Sequence, residues 1–171
     1  VTQRGNRGQK TFFSNDDYQT YFSLLAAAKA KAGVEIWAYC FMPNHVHLVV
    51  VPEDKDGLAA FFSEAHRQYT RKINFREKWR GHLWQERFHS FIMDESHLLA
   101  AVRYTELNPT RASLCAQPND WIWSSVHAHL SGYDDALVTV KPMLDRISNW
   151  QSYLDMDTSR AELDDIRAHT K

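Results

Sequence analysis

Two runs rich in β-branched and aromatic residues, Val34 to Phe41 and His45 to Val51, are parted by a turn of only Met42, Pro43 and Asn44. So short a connection makes the second run double back beside the first, and an antiparallel hairpin is expected. With a side-chain period of two, Val46, Leu48 and Val50 point to one face, and His45, His47, Val49 and Val51 to the other. Both faces carry apolar residues, which suits a central strand.

The flanking segments read as helices. Ser14 is a candidate cap with Asp17 in the first turn, Tyr18, Tyr21, Phe22 and Leu25 recur at helical spacing, and Gly33 ends the run. Leu58, Phe61, Phe62, Ala65, Tyr69 and Ile73 give a second helix ending before Gly81. His82 to Met93 alternates loosely, as a further strand or hairpin would. Asp94 to Ser96 can cap a third helix, which passes Tyr104 and is expected to stop near Asn108 because Pro109 follows. With Val1 to Arg4 as the remnant of a first strand, the order is βαββαβ followed by helices. This predicts an α+β, ferredoxin-like antiparallel sheet with helices on one face, plus a C-terminal helical tail.

At 171 residues, 44% hydrophobic and 24% charged, the chain has the composition of one globular domain with a short appendage. Net charge is -1, yet residues 1–133 carry 15 Lys/Arg against 13 Asp/Glu, and residues 134–171 carry 5 against 8. The expected division is therefore a domain over 1–133 and an acidic tail over 134–171, with weak helices around Met143 to Leu154 and Arg160 to Ala168. Only Cys40 and Cys115 are present, no leader is visible, and no apolar run approaches the roughly 20 residues of a membrane span. A reducing cytoplasm is the expected location. The chain begins at Val1 rather than Met, so an N-terminal piece is expected to be missing.

The chemistry lies in two short motifs. His45 and His47, at i and i+2 on a strand, would present both imidazoles to one metal ion, and Tyr104 and Asn108 would stand one helical turn apart. Two histidines and a carboxamide oxygen form a three-ligand divalent site with open positions, suited to Mg²⁺ or Mn²⁺, and the tyrosine supplies a nucleophile. The reaction class that follows is metal-assisted attack on a phosphodiester. Placed at about 100° per residue, Leu98, Leu99 and Val102 share one side of the third helix. Tyr104 and Asn108 fall nearly opposite, beside His97 and the small Ala100 and Ala101.

Each motif has a plainer alternative. The alternatives for the histidines are partly buried side chains satisfied by carbonyls, or ligands of a closed zinc site with Cys40 or Cys115, which lack paired ligand spacing. Any single tyrosine is more often structural than catalytic. Tyr69, beside Arg67, Arg71 and Lys72, is the second candidate nucleophile. Since phenols ordinarily titrate near 10, a base or a cation must assist, and Arg103 and His97 are the candidates. Arg67, Arg71, Lys72, Arg76, Lys78 and Arg80 face only Glu77 between 66 and 80, with Tyr69, Phe75 and Trp79 interleaved. This is either a solvated face or a DNA-backbone patch with aromatics for stacking. Arg4, Asn6 and Arg7 offer a second basic segment, in which Gly5 permits close approach of the backbone to nucleic acid.

Val1-Thr-Gln-Arg-Gly-Asn6, Met42-Pro-Asn-His-Val-His47, Gly81-His-Leu-Trp-Gln-Glu-Arg-Phe88, Tyr104-Thr-Glu-Leu-Asn-Pro-Thr-Arg111 and Trp123-Ser-Ser125 together resemble the REP-associated tyrosine transposases, bacterial relatives of the single-tyrosine HUH transposases. The resemblance spans residues 1 to about 133. It implies an HUH nuclease fold and an enzyme that cleaves and rejoins single-stranded DNA folded into REP hairpins. The tyrosine would become joined to a 5′-phosphate, leaving a free 3′-hydroxyl. It assigns Tyr104 as nucleophile, His45, His47 and Asn108 as ligands of Mg or Mn, and Arg4, Asn6 and Arg7 as readers of a tetranucleotide at the hairpin foot. Arg67, Arg71, Lys72, Arg76 and Lys78 would contact the DNA backbone, with the protein acting as monomer or dimer. Thr110 and Ser113 stand where the family pattern has Val and Gly. The competing readings are a non-catalytic hairpin-binding protein and a relaxase- or initiator-like HUH nuclease.

Overall fold

The computed structural model describes residues 1–156. The strands are β1 (Thr2–Arg4), β2 (Val34–Met42) and β3 (His45–Pro52), and the long helices are α1 (Asn15–Ala32), α2 (Gly57–Glu77) and α3 (Glu95–Arg111). Short helices α4 (Val126–Ser131), α5 (Lys141–Leu144) and α6 (Trp150–Leu154) follow. The expected helix over Arg160 to Ala168 lies outside the described residues.

β2 and β3 form the antiparallel hairpin, and β1 pairs with the far side of β3, giving the order β1-β3-β2. β3 is thus central, with Thr2 and Cys40 opposite His47 and Arg4 and Met42 opposite His45. The expected fourth strand lies antiparallel beside β1 but is reduced to bridges at Thr2 with His89 and Gly5 with Trp84. Glu86, between the two bridges, has φ 52°, which no regular strand accommodates. A fourth strand in position, but not in regular pairing, closes the ferredoxin-like sheet.

α1 and α2 pack together on one face, as the pattern predicts. Tyr21, Leu25, Phe61, Phe62, Tyr69 and Ile73 bury against Ile36, Phe41, Val46 and Leu48. The opposite face is also covered. Leu98 and Val102 of α3 pack on Ala38 and Val49 together with Val126, Met143, Trp150, Tyr153 and Leu154. The segment set apart as a tail thus supplies apolar side chains to this second layer up to Leu154.

Several local details depart from expectation. Ser14 makes no side-chain cap bond. Instead the Phe13 amide donates to Asp17, whose carboxylate also accepts from Arg76 of α2. α3 runs through Pro109 to Arg111, because a proline in the final turn forfeits only the bond to Thr105 before Ala112 ends the helix. Gly5 is required by the chain's own geometry. A Cβ there would stand 2.2 Å from the Gln9 carbonyl oxygen and 2.8 Å from Thr11.

Candidate active site

The register of β3 and the packing of α3 bring the two motifs together. The rings of His45 and His47 lie 4.9 Å apart, and the ring of Tyr104 lies 5.7 Å from that of His47. Each imidazole is anchored through Nδ1, His45 to Asn44 Oδ1 at 2.7 Å and His47 to Thr2 Oγ1 at 3.3 Å. A hydrogen bond at Nδ1 orients the ring and leaves Nε2 available, an arrangement of the kind that could hold a metal ion. Burial and the nearby Arg4 push His45 down to about 4. Burial, His45 and other neighbouring positive groups hold His47 well below its usual value. Both rings are therefore neutral near pH 7, the form that binds a metal ion.

Asn108 is buried, and its Nδ2 has no partner among the described residues. Two imidazoles and one carboxamide match a divalent ion with open positions. The cysteines do not join them. Cys40 faces His47 across the ladder, but its Sγ contacts Met42 Sδ, and Cys115 contacts Thr110. Among the described residues no three His, Cys, Asp or Glu side chains cluster as a metal site.

The competing tyrosine is structural, since Tyr69 is fully buried and donates to the Thr11 carbonyl at 2.7 Å. Arg103 is buried and lies over the Tyr153 ring at 5.6 Å. His97 bonds Asp94 at 2.7 Å and lines the cavity that also holds His47 and Tyr104. The cation beside Tyr104 is instead Arg111, 5.1 Å from the ring centroid. Its i+7 spacing from Tyr104 was the available signal.

Glu106, buried beneath the same helix, was also missed. It accepts from Ser125 Oγ at 2.6 Å, His129 Nδ1 at 2.6 Å and Trp150 Nε1 at 2.8 Å. The Ser125 amide in turn donates to the Tyr39 carbonyl of β2, and the Ser125 hydroxyl accepts from the Tyr39 amide. The Thr-Glu-Leu-Asn and Trp-Ser-Ser motifs thus fasten α3 to the sheet, which fixes Tyr104 against the histidines.

The basic candidates divide by their partners. Arg67 pairs with Glu64 at 2.8 Å, and Arg76 pairs with Asp17 and Glu77. Lys72 bonds Thr20, while Arg71 and Lys78 are exposed. Arg4 and Arg7 are exposed near the end of β1, Arg7 at φ 55°, and Asn6 bonds the His82 carbonyl.

A βαββ sheet that sets two histidines of its central strand against a tyrosine of a following helix defines a single-tyrosine HUH-type domain, and residues 6–108 match the family described as "Transposase IS200 like". The chain belongs to that family. It is 31% identical over 104 residues to a Haemophilus influenzae protein described as a REP-associated tyrosine transposase, a match covering 54% of this chain and 59% of the relative. The fold is shared with a solved structure of a REP-associated tyrosine transposase bound to a REP hairpin. That match has a TM-score of 0.64 at 22% identity and covers 81% of this chain and 82% of the other. Among the described residues no helix is long and apolar enough to cross a membrane.

Proposed function

We propose that this chain is a divalent-metal-dependent strand transferase acting on single-stranded DNA folded into REP-type hairpins, through a covalent 5′-phosphotyrosine intermediate. The observation that carries the reading is the meeting of Tyr104 of α3 with the His45–His47 pair of β3, His47 and Tyr104 being 57 residues apart in sequence. His45, His47 and Asn108 are the candidate ligands of Mg²⁺ or Mn²⁺. Such an ion, when bound, would polarise the scissile phosphate and offset charge on its oxygens.

The Tyr104 phenol oxygen attacks phosphorus, and the bond from phosphorus to the 3′ oxygen breaks. The electron pair leaves with that oxygen, which takes a proton from water, and the phenol proton passes to solvent base. Arg111 supplies fixed positive charge beside the ring as phenolate character develops. Arg4, Asn6, Arg7, Arg71, Lys72 and Lys78 are the candidate DNA contacts. Arg67 and Arg76 would have to share their guanidinium groups with intrachain carboxylates.

The test is incubation of the protein with labelled single-stranded hairpin oligonucleotides and Mg²⁺ or Mn²⁺, followed by denaturing electrophoresis beside Tyr104→Phe. A covalent band in wild type that is lost in Tyr104→Phe is expected, with hairpin affinity retained. An adduct that survives the substitution overturns Tyr104 as the nucleophile, and hairpin binding without any adduct makes the protein a binding module.

A further inference from the structure

The turn between β2 and β3 is tied to the basic segment that precedes α1. The Gly5 amide donates to the Asn44 carbonyl at 2.8 Å, and the Thr11 and Phe12 amides donate to the Pro43 carbonyl at 2.9 and 3.2 Å. The Asn44 side chain reaches both ways. Its Nδ2 donates to the Gly8 carbonyl at 3.2 Å, and its Oδ1 meets His45 Nδ1 at 2.7 Å.

These two bonds determine each other. The Gly8 carbonyl can only accept, so the amide turns its NH₂ group to Gly8 and its oxygen to His45. An amide oxygen also only accepts, so the shared proton sits on His45 Nδ1 and Nε2 keeps its lone pair. Thr2 gives His47 no such instruction, because a hydroxyl can donate or accept. The orientation and tautomer of one candidate metal ligand are therefore set from the position of the Gly8 carbonyl.

The segment at the other end of that amide carries exposed cations. Arg7 immediately precedes Gly8, and Arg4 is the register partner of His45. Arg7 holds φ 55° and Gly8 φ 71°. A non-glycine residue at positive φ persists where its surroundings hold it, and the bonds of Asn44 to Gly5 and Gly8 bracket this turn. A phosphate drawn to Arg7 acts on the residue next to the carbonyl that orients Asn44.

We propose that Asn44 is a positioning residue that couples nucleic acid held by the Arg4–Arg7 segment to the metal affinity of the site at His45. Nucleic acid on the segment fixes the turn and, through the amide, the His45 ring, so that a metal ion no longer bears the cost of ordering it. By linkage the ion strengthens nucleic-acid binding by the same factor. The proposal rests on the strand-transferase reading for both ligands.

The experiment uses the full chain carrying Tyr104→Phe, so that no strand is cut. Mn²⁺ is titrated with and without a hairpin oligonucleotide bearing a single-stranded flank, free Mn²⁺ is read by electron paramagnetic resonance, and uptake by the hairpin alone is subtracted. Mn²⁺ affinity is expected to rise about fivefold when the hairpin is present. Asn44→Ala, which loses both bonds, lowers the affinity measured without DNA about tenfold and removes the rise. Asn44→Asp separates the two ends of the link. One carboxylate oxygen accepts from His45 Nδ1 as the amide did, but the other meets the Gly8 carbonyl with no proton to share. This variant regains the Mn²⁺ affinity lost in Asn44→Ala and still shows no rise with the hairpin. A parent chain whose Mn²⁺ affinity is unmoved by a bound hairpin, or a rise that persists in full in both Asn44 variants, overturns the coupling and leaves the strand-transferase reading intact. A chain that takes up no Mn²⁺ in either state, or binds no hairpin, overturns both.

Discussion

Single residues in this domain divide into those gathered at the candidate site and those that hold them in place. Glu106 belongs to the second group, since three donors from Ser125, His129 and Trp150 converge on its carboxyl group. Glu106→Ala would leave the His129 and Trp150 donors buried without that acceptor, and a loss of about 3 kcal/mol is expected in urea unfolding. Ser113 shows the opposite case. It sits at φ 56°, the left-handed region that costs a non-glycine residue about 1–2 kcal/mol, where the family pattern has glycine. Ser113→Gly is therefore expected to stabilise the protein by about 1 kcal/mol, measured as a rise in urea midpoint at unchanged slope.

Between elements, the contact of α1 with α2 contains two groups that respond to acid. Burial pushes the His66 imidazole, which shares a hydrogen bond with the Tyr21 hydroxyl, down to about 3. The unfolded chain takes up that proton below about 6.5 while the folded chain does not, so stability falls as pH drops from about 6.5 towards 3. The slope is at most about 1.4 kcal/mol per pH unit, and His66→Gln is expected to flatten it in unfolding curves recorded between pH 7 and 4. At Asp17 burial raises the carboxyl, but bonds from Arg76 and the Phe13 amide outweigh it and hold the group below its usual value. Its contribution is present above the ordinary carboxylate range and is lost as pH falls through the lowered folded value. The two groups therefore act in different windows, His66 first.

Across the whole molecule, the sheet is sandwiched between α1 with α2 on one face and α3 with the C-terminal helices on the other. The placement of Tyr104 depends on the second layer. Met143, Trp150, Tyr153 and Leu154 bury against α3 and the sheet, and the Tyr153 hydroxyl donates to the Leu99 carbonyl. Truncation after residue 133 is expected to abolish cooperative thermal unfolding followed by circular dichroism, rather than merely to alter DNA affinity. A truncated protein that melts cooperatively near the wild-type midpoint would show that the first 133 residues stand alone.

By itself the sequence determined the hairpin, the helical spacing of α1 to α3, the side of β3 that His45 and His47 share, and the spacing of Tyr104 and Asn108, because strand and helix periodicity are local. The departure at Ser113 was also legible as a missing glycine, though not its backbone angle. Only the tertiary structure decided which face α3 covers, that Arg111 rather than Arg103 stands beside Tyr104, that Tyr69 is buried, and that Arg67 and Arg76 are paired with carboxylates. It also drew residues up to Leu154 into the core and gathered Ser125, His129 and Trp150 around Glu106. These are contacts between segments tens of residues apart, set by which surfaces pack together, and no period within either segment encodes its partner.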